Sequence, residues 1–321
     1  MHGRGAWVLV GALVFASACG SDDSGDGGSG GGSSGGGGSA AGGSGGGGNS
    51  GSGGSAGAGG TGGSGGSAGS GASGGTTSGG GSGGSGAAGS GGSGGSASGT
   101  LVPLYTDPSS PTWAALANAK KSHPAVAVLA VINPNDGPGT AKDTSYVTGT
   151  QALKDAGVIV LGYVATGWGA TSATGVVQPA IDKYVAWYPA VTGIFFDEQA
   201  SDAGKEAYYS GLTQYAKSKG HTMTVGNPGA DVAESYVGTV DMMLIYESKG
   251  NPTLASLGGW HQKHDKKNFG IIPYGVSTLD TAFVQGAKQW VGYHYATDDD
   301  LPNPWDSLPP YFDALVAELA K

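Results

Sequence analysis

One cysteine, Cys19, occurs in 321 residues, so no intramolecular disulfide can staple the chain. Arginine is as scarce: Arg4 stands alone, and nothing beyond it carries a guanidinium. Arginine is the residue best shaped to grip phosphate in a bidentate fork. With 24 acidic against 15 basic residues and a net charge of −9, the chain is poorly suited to nucleic acid or phosphorylated ligands. Its acidity suits neutral or cationic partners, or serves solubility alone. No Gly-x-Gly-x-x-Gly follows the first predicted strand, which removes the usual nucleotide-binding turn. A serine nucleophile elbow, a Cys–His pair and zinc-ligand spacings are all missing. The sequence implies no cofactor and no metal.

The chain divides by composition into three stretches. Residues 1–18 read as an export signal: His2 and Arg4 make a weakly basic start and residues 7–15 an apolar core. That core is too short to span a bilayer. The small residues Ala16-Ser17-Ala18 precede Cys19 as in a bacterial lipoprotein, cleaved and acylated at that cysteine. The expected address is the cell envelope, with membrane contact only through the Cys19 lipid; an ordinary secretory signal is the alternative. Residues 19–99 are almost entirely Gly, Ser, Ala and Thr and hold most of the 68 glycines. Such a stretch cannot bury enough surface to offset its ordering entropy, and is expected to be a disordered tether with an end-to-end distance on the order of 50 Å. It lacks the strict Gly-X-Y period and the proline of collagen.

Residues 100–321 form the expected folded domain. Apolar, β-branched runs at 101–105, 125–132, 158–164, 193–196, 222–225, 240–246, 269–274 and 290–295 alternate with helix-period segments. The helices are expected over 112–122, 145–156, 177–188, 205–219, 231–237, 254–264, 279–288 and 305–320. Continuous rather than alternating apolar runs indicate a parallel sheet covered on its outer face. Eight of them predict a single (β/α)8 TIM barrel, with an open doubly wound sheet as the alternative.

In a barrel of this kind the C-terminal ends of the strands line the active face. Those ends carry Tyr105, Asn133, Tyr163, Asp197 with Glu198, Asn227, Tyr246 with Glu247, Tyr274 and Tyr295. Aromatic faces with amides and carboxylates are how proteins hold sugar rings, and this set is the expected polysaccharide-binding mouth. Two apolar strands, Gly193-Ile194-Phe195-Phe196 and Met242-Met243-Leu244-Ile245-Tyr246, end in carboxylates. A buried carboxylate is costly unless paired or used. Hydrolysis of a glycosidic bond uses two, one as acid and one as base or nucleophile.

Asp197 is expected beside the reacting carbon, Glu198 tuning it or binding substrate, and Glu247 as general acid/base, although Asp197 and Glu198 could exchange roles. Glu247 could instead pair with Lys249. Strands four and six are separated by one strand, which favours the ~5–5.5 Å carboxylate spacing of retaining enzymes over the ~6.5–9.5 Å of inverting ones. Trp168 is either a sugar platform or a packed lid. Asn133 and Asn227 each precede proline in glycine-rich loops, where turn chemistry alone would account for them. His261 and His264 read as an exposed helix face, and Asp298-Asp299-Asp300 as an exposed loop.

The domain resembles the spherulin-4-like proteins (spherulation-specific family 4), whose characterised fungal members form glycoside hydrolase family 135. The likeness rests on Val102-Pro103-Leu104-Tyr105, on Ile132 through Gly139, and on Gly162-Tyr163-Val164-Ala165-Thr166. It continues through Gly193 to Glu198, Gly226-Asn227-Pro228-Gly229, Tyr246-Glu247 and Tyr295-Ala296-Thr297-Asp298. The resemblance implies a barrel that cleaves α-1,4-linked N-acetylgalactosamine or galactosamine in exopolysaccharide. It carries the family's Asp-Glu pair onto Asp197 and Glu198 and its later glutamate onto Glu247. The chain is expected to act as a monomer on polysaccharide, without nucleic acid. The competing class is a non-catalytic carbohydrate-binding or matrix protein using the same aromatic mouth.

Overall fold

The apolar runs become mostly buried strands in the computed structural model, which describes residues 98–321. The export signal, Cys19 and all but the last two residues of the tether lie outside the described residues. In chain order the elements are β1 (Thr100–Leu104), α1 (Pro111–Ser122), β2 (Val128–Ile132), α2 (Thr144–Asp155), β3 (Ile159–Ala165), α3 (Gln178–Trp187) and β4 (Val191–Asp197). There follow α4 (Glu206–Ser218), β5 (Met223–Asn227), β6 (Met242–Tyr246), β7 (Phe269–Ile271), α5 (Thr281–Ala287), β8 (Tyr293–His294) and α6 (Phe312–Leu319). Local signals set several helix starts. Ser110 caps α1 ahead of Pro111, while the Asp143 and Asp280 carboxylates accept the first free amides of α2 and α5.

All eight strands pair in parallel and in sequence order, β1 through β8. Gly99 closes the ring: its amide donates to the Gly292 carbonyl at 2.7 Å, and its carbonyl accepts from the His294 amide at 3.0 Å. An open doubly wound sheet has no such closure, so the fold is the (β/α)8 barrel. Register sets Ala165, Asp197 and Asn227 side by side at one level of the rim. Among the described residues no helix is long and apolar enough to cross a membrane.

Two expected helices do not form. Residues 231–237 contribute only the single 3₁₀ turn Glu234–Tyr236, and residues 254–264 break into the turns Leu254–Leu257 and Gly259–Lys263. The break falls at Gly258-Gly259, where Gly259 adopts φ +82°, outside the helical region. His261 therefore lies buried against Trp260 and Phe269 rather than on an exposed helix face. The closing helix begins at Phe312 instead of 305, because Pro309 and Pro310 have no amide hydrogen to continue a helical ladder.

The barrel interior is tight on its β4 side. A Cβ on Gly193 would lie 2.5 Å from Leu161 Cδ2 and 2.6 Å from the Met223 carbonyl oxygen, which is backbone and cannot move aside. Gly193→Val is expected to destabilise the domain by roughly 1–3 kcal/mol through overpacking, read by urea denaturation. An unchanged midpoint would show the interior to be looser than these distances imply.

Candidate active site

The site assembles from the ends of neighbouring strands. β4 ends in Asp197, β5 in Asn227, and Glu247 follows the last residue of β6. The Asn227 side-chain nitrogen donates to Asp197 Oδ1 at 2.9 Å and to Glu247 Oε2 at 2.7 Å. On its other side, Asn227 Oδ1 accepts the Gly229 amide at 3.1 Å. That third bond fixes the orientation of the amide, because reversing it would aim an oxygen at two carboxylates. Gly229 takes φ +65°, open to glycine without strain, and its carbonyl receives the Glu247 amide at 2.9 Å. The loop after β5 thus holds both the bridge and one of the carboxylates it joins. Two oxygens bound at 2.9 and 2.7 Å to one nitrogen are closer than the roughly 6.5–9.5 Å separation of inverting pairs.

Aromatic residues complete the wall. Tyr105 and Tyr163 meet edge to face, with ring centroids 5.9 Å apart. Burial pushes the Asp197 carboxyl above the ordinary aspartate range, against donors from Tyr163, the Glu198 amide and Asn227, which favour its ionised form. Burial also lifts Glu247, followed by the charge of Asp197; the Asn227 amide works against both, and Glu247 stands at about 7. The Tyr105 hydroxyl is held well above its usual value by burial and then by the Asp197 charge, with Glu247 contributing less, so it stays a neutral donor beside both acids. Both carboxylates remain partly open to solvent. Lys249 pairs with Asp300, not with Glu247.

Glu198 takes another direction. Its backbone is left-handed, at φ +53°, and Oε2 accepts the Gly167 amide at 3.1 Å. Its carbonyl receives the Trp168 amide at 2.7 Å. Trp168 is itself left-handed, at φ +52°. Such a backbone costs on the order of 1–2 kcal/mol for each non-glycine residue and persists only where its surroundings enforce it. The Thr166 hydroxyl enforces it here, 2.8 Å from the carbonyls of both Asp197 and Glu198 and 3.0 Å from the Tyr209 hydroxyl. Tyr209 in turn accepts the Ala200 amide at 2.9 Å. Burial and the neighbouring Asp197 charge raise Glu198, while the Gly167 amide lowers it.

The remaining expected mouth residues divide. Asn133 is buried and its Oδ1 accepts the Gly137 amide at 2.7 Å, bracing the loop after β2. Tyr246 donates its hydroxyl to the Gly250 carbonyl, and Tyr274 packs edge-on against Trp305 at 6.3 Å; both are half-buried rim residues. Tyr295 does not belong to the mouth. It is 0 % exposed, lies 6.2 Å from Trp305 and 6.1 Å from Phe312, and directs its hydroxyl to the Ser307 carbonyl. β8 already ends at His294, so position 295 serves the wall and presents nothing to a ligand. The histidines diverge as well, His261 Nδ1 to the Gly258 carbonyl and His264 Nε2 to Glu234. Among the described residues no three His, Cys, Asp or Glu side chains converge as metal ligands.

The class so defined is a (β/α)8 barrel carrying a bridged pair of carboxylates at its C-terminal mouth. Residues 99–319 match the spherulation-specific family 4, and the chain belongs to that family. It is 38% identical over 162 residues to Spherulin-4 of Physarum polycephalum, an alignment covering 50% of this chain and 48% of that protein. The match thus spans about half the length of this curated relative. The crystal structure of Aspergillus clavatus Sph3 in complex with GalNAc is similar with a TM-score of 0.64 at 25% identity, covering 71% of this chain and 99% of that one.

Glu247 makes a stability prediction. An unfolded glutamate titrates near 4.5 and the folded one at about 7, so between those values the folded chain keeps a proton that the unfolded chain has released. Stability therefore falls as pH rises through this window. Glu247→Gln retains the neutral shape and removes that loss. It should match the wild type near pH 4 and exceed it at pH 8, by on the order of 3 kcal/mol at most, read as Tm at the two pH values. A difference independent of pH would mean that Glu247 ionises without penalty.

Proposed function

We propose that the protein is an endo-acting glycoside hydrolase of α-1,4-linked N-acetylgalactosamine or galactosamine polymers, tethered at the bacterial cell envelope by a lipid on Cys19. The observation that carries this reading is the Asn227 amide held between Asp197 and Glu247, which sets two carboxylates side by side at one mouth. Membership of the family and the likeness to Sph3, whose structure holds GalNAc, support an amino-sugar polymer as substrate.

Asp197, raised by burial but accepting hydrogen bonds that offset part of that cost, acts as the nucleophile in its ionised form. One of its oxygens bonds to the anomeric carbon as the glycosidic C–O bond breaks. Glu247, protonated up to about pH 7, gives its proton to the departing oxygen. The resulting Glu247 carboxylate then takes a proton from water, and the water oxygen displaces Asp197 from the anomeric carbon. Two displacements retain the anomeric configuration. Glu198 shapes the third loop and tunes Asp197 from the side.

Galactosamine-containing exopolysaccharide incubated with the protein should yield shorter oligosaccharides with retained configuration by NMR. Asp197→Asn and Glu247→Gln should each lose at least about a thousandfold in rate while Tm persists, and Glu198→Gln should lose less. Binding without cleavage would instead assign the protein to the non-catalytic carbohydrate-binding class, and an inverted product would overturn the roles given to the pair.

The Asn227 amide stabilises both anions, so Asn227→Ala should move both limbs of the pH–rate profile upward. Unmoved limbs would mean that the amide does not govern these protons. Cys19→Ser should shift the protein from the membrane fraction to the soluble one. A wild type already soluble after export would remove the anchor.

A further inference from the structure

Trp168 has no place in the chemistry assigned to the carboxylates, yet the structure holds it under unusual constraint. Three successive residues, Gly167, Trp168 and Gly169, are left-handed, at φ +55°, +52° and +75°. Glycine occupies the outer two positions without strain; tryptophan is a poor residue for the middle one. The loop is anchored on both sides. The Trp168 amide donates to the Glu198 carbonyl at 2.7 Å and the Gly167 amide to the Glu198 carboxylate at 3.1 Å. Across the loop, Lys205 Nζ donates to the Gly169 carbonyl at 3.2 Å and the Tyr208 hydroxyl to the Thr171 carbonyl at 2.8 Å. The backbone is clamped between the end of β4 and the start of α4, while the side chain is 53% exposed.

An indole so exposed adds little to the core, and a glycine at this position would relieve the backbone. What the arrangement provides is a solvent-exposed indole carried on a clamped backbone beside Glu198. We propose that Trp168 is the stacking platform of a second sugar-binding position, which takes one pyranose ring of the polymer whose neighbouring linkage lies at the Asp197–Glu247 pair. The apolar C–H face of a pyranose fits the indole face, and its hydroxyl and amino groups remain in solvent at the rim. This proposal rests on the glycosidase reading for its substrate and deepens it: Trp168 determines which length of polymer the site prefers.

The test uses the full-length protein and α-1,4-linked N-acetylgalactosamine oligomers of graded length. Trp168→Ala should lower kcat/KM on the longer oligomers at least about tenfold, mainly through KM, and leave the shortest cleavable oligomer nearly unaffected. Trp168→Tyr should restore most of the loss. Trp168→Gly should keep or raise Tm, because it relieves the left-handed backbone. Equal losses at every length, no loss at all, or a lowered Tm in Trp168→Gly would each overturn the platform and leave Trp168 a packing residue. If the wild type cleaves none of the oligomers, the hydrolase reading fails by itself. Calorimetric binding of the same series then decides the platform. Weaker binding of the longer oligomers to Trp168→Ala supports it, and unchanged affinity at every length refutes it.

Discussion

A carboxamide placed between two acids is the contact on which the rest of the site depends. Asp197 and Glu247 stand on strands that are not neighbours, and each is raised by burial. Brought together without mediation, they would repel or share a proton. The Asn227 nitrogen gives each a hydrogen bond, and the Gly229 amide prevents that nitrogen from turning away. Because β5 lies between β4 and β6, parallel pairing in strict order brings the bridge to the right place. The barrel topology and the chemistry of the mouth are thus one constraint seen at two scales.

A second set of contacts surrounds Glu198. Strand pleat would send Asp197 and Glu198 to opposite faces, and the left-handed turn at Glu198 ends the strand at once. The turn frees its carbonyl and carboxylate to bind the loop after β3, with Thr166 and Tyr209 as supports. Strain is concentrated where β4 meets that loop, beside the acids and not in the core. Two adjacent acids acquire separate roles in this way, one facing the bridge and the other holding a wall.

Much of this was legible in the chain. Eight apolar runs with continuous rather than alternating hydrophobicity announced a parallel barrel, since only burial on both faces tolerates such runs. The strand-end rule picked out Tyr105, Tyr163, Asp197, Asn227 and Glu247, which do converge. It failed at Tyr295, where β8 is two residues long and the apparent strand end falls inside the wall. The helix period failed at 254–264, where a pair of glycines outweighed the apolar spacing. Thr166 and Tyr209 left different traces. Thr166 stood at the end of a recognised motif, whereas Tyr209 looked like an ordinary apolar residue of α4 until its hydroxyl met the loops.

By itself the sequence determined the fold class, the set of acids and amides available at the mouth, and the exclusion of disulfides and arginine-bound phosphate. Those properties follow from residue type and short-range pattern, which act along the chain. Only the tertiary structure decided that Asn227 serves the acids as a bridge, that Glu198 turns to the third loop, and that Trp168 stands out from a clamped backbone. These depend on angles and separations between segments 20 to 31 residues apart, such as Asn227 to Asp197 and Glu198 to Gly167. A spacing in sequence carries no such angle; the closed ring of strands supplies it.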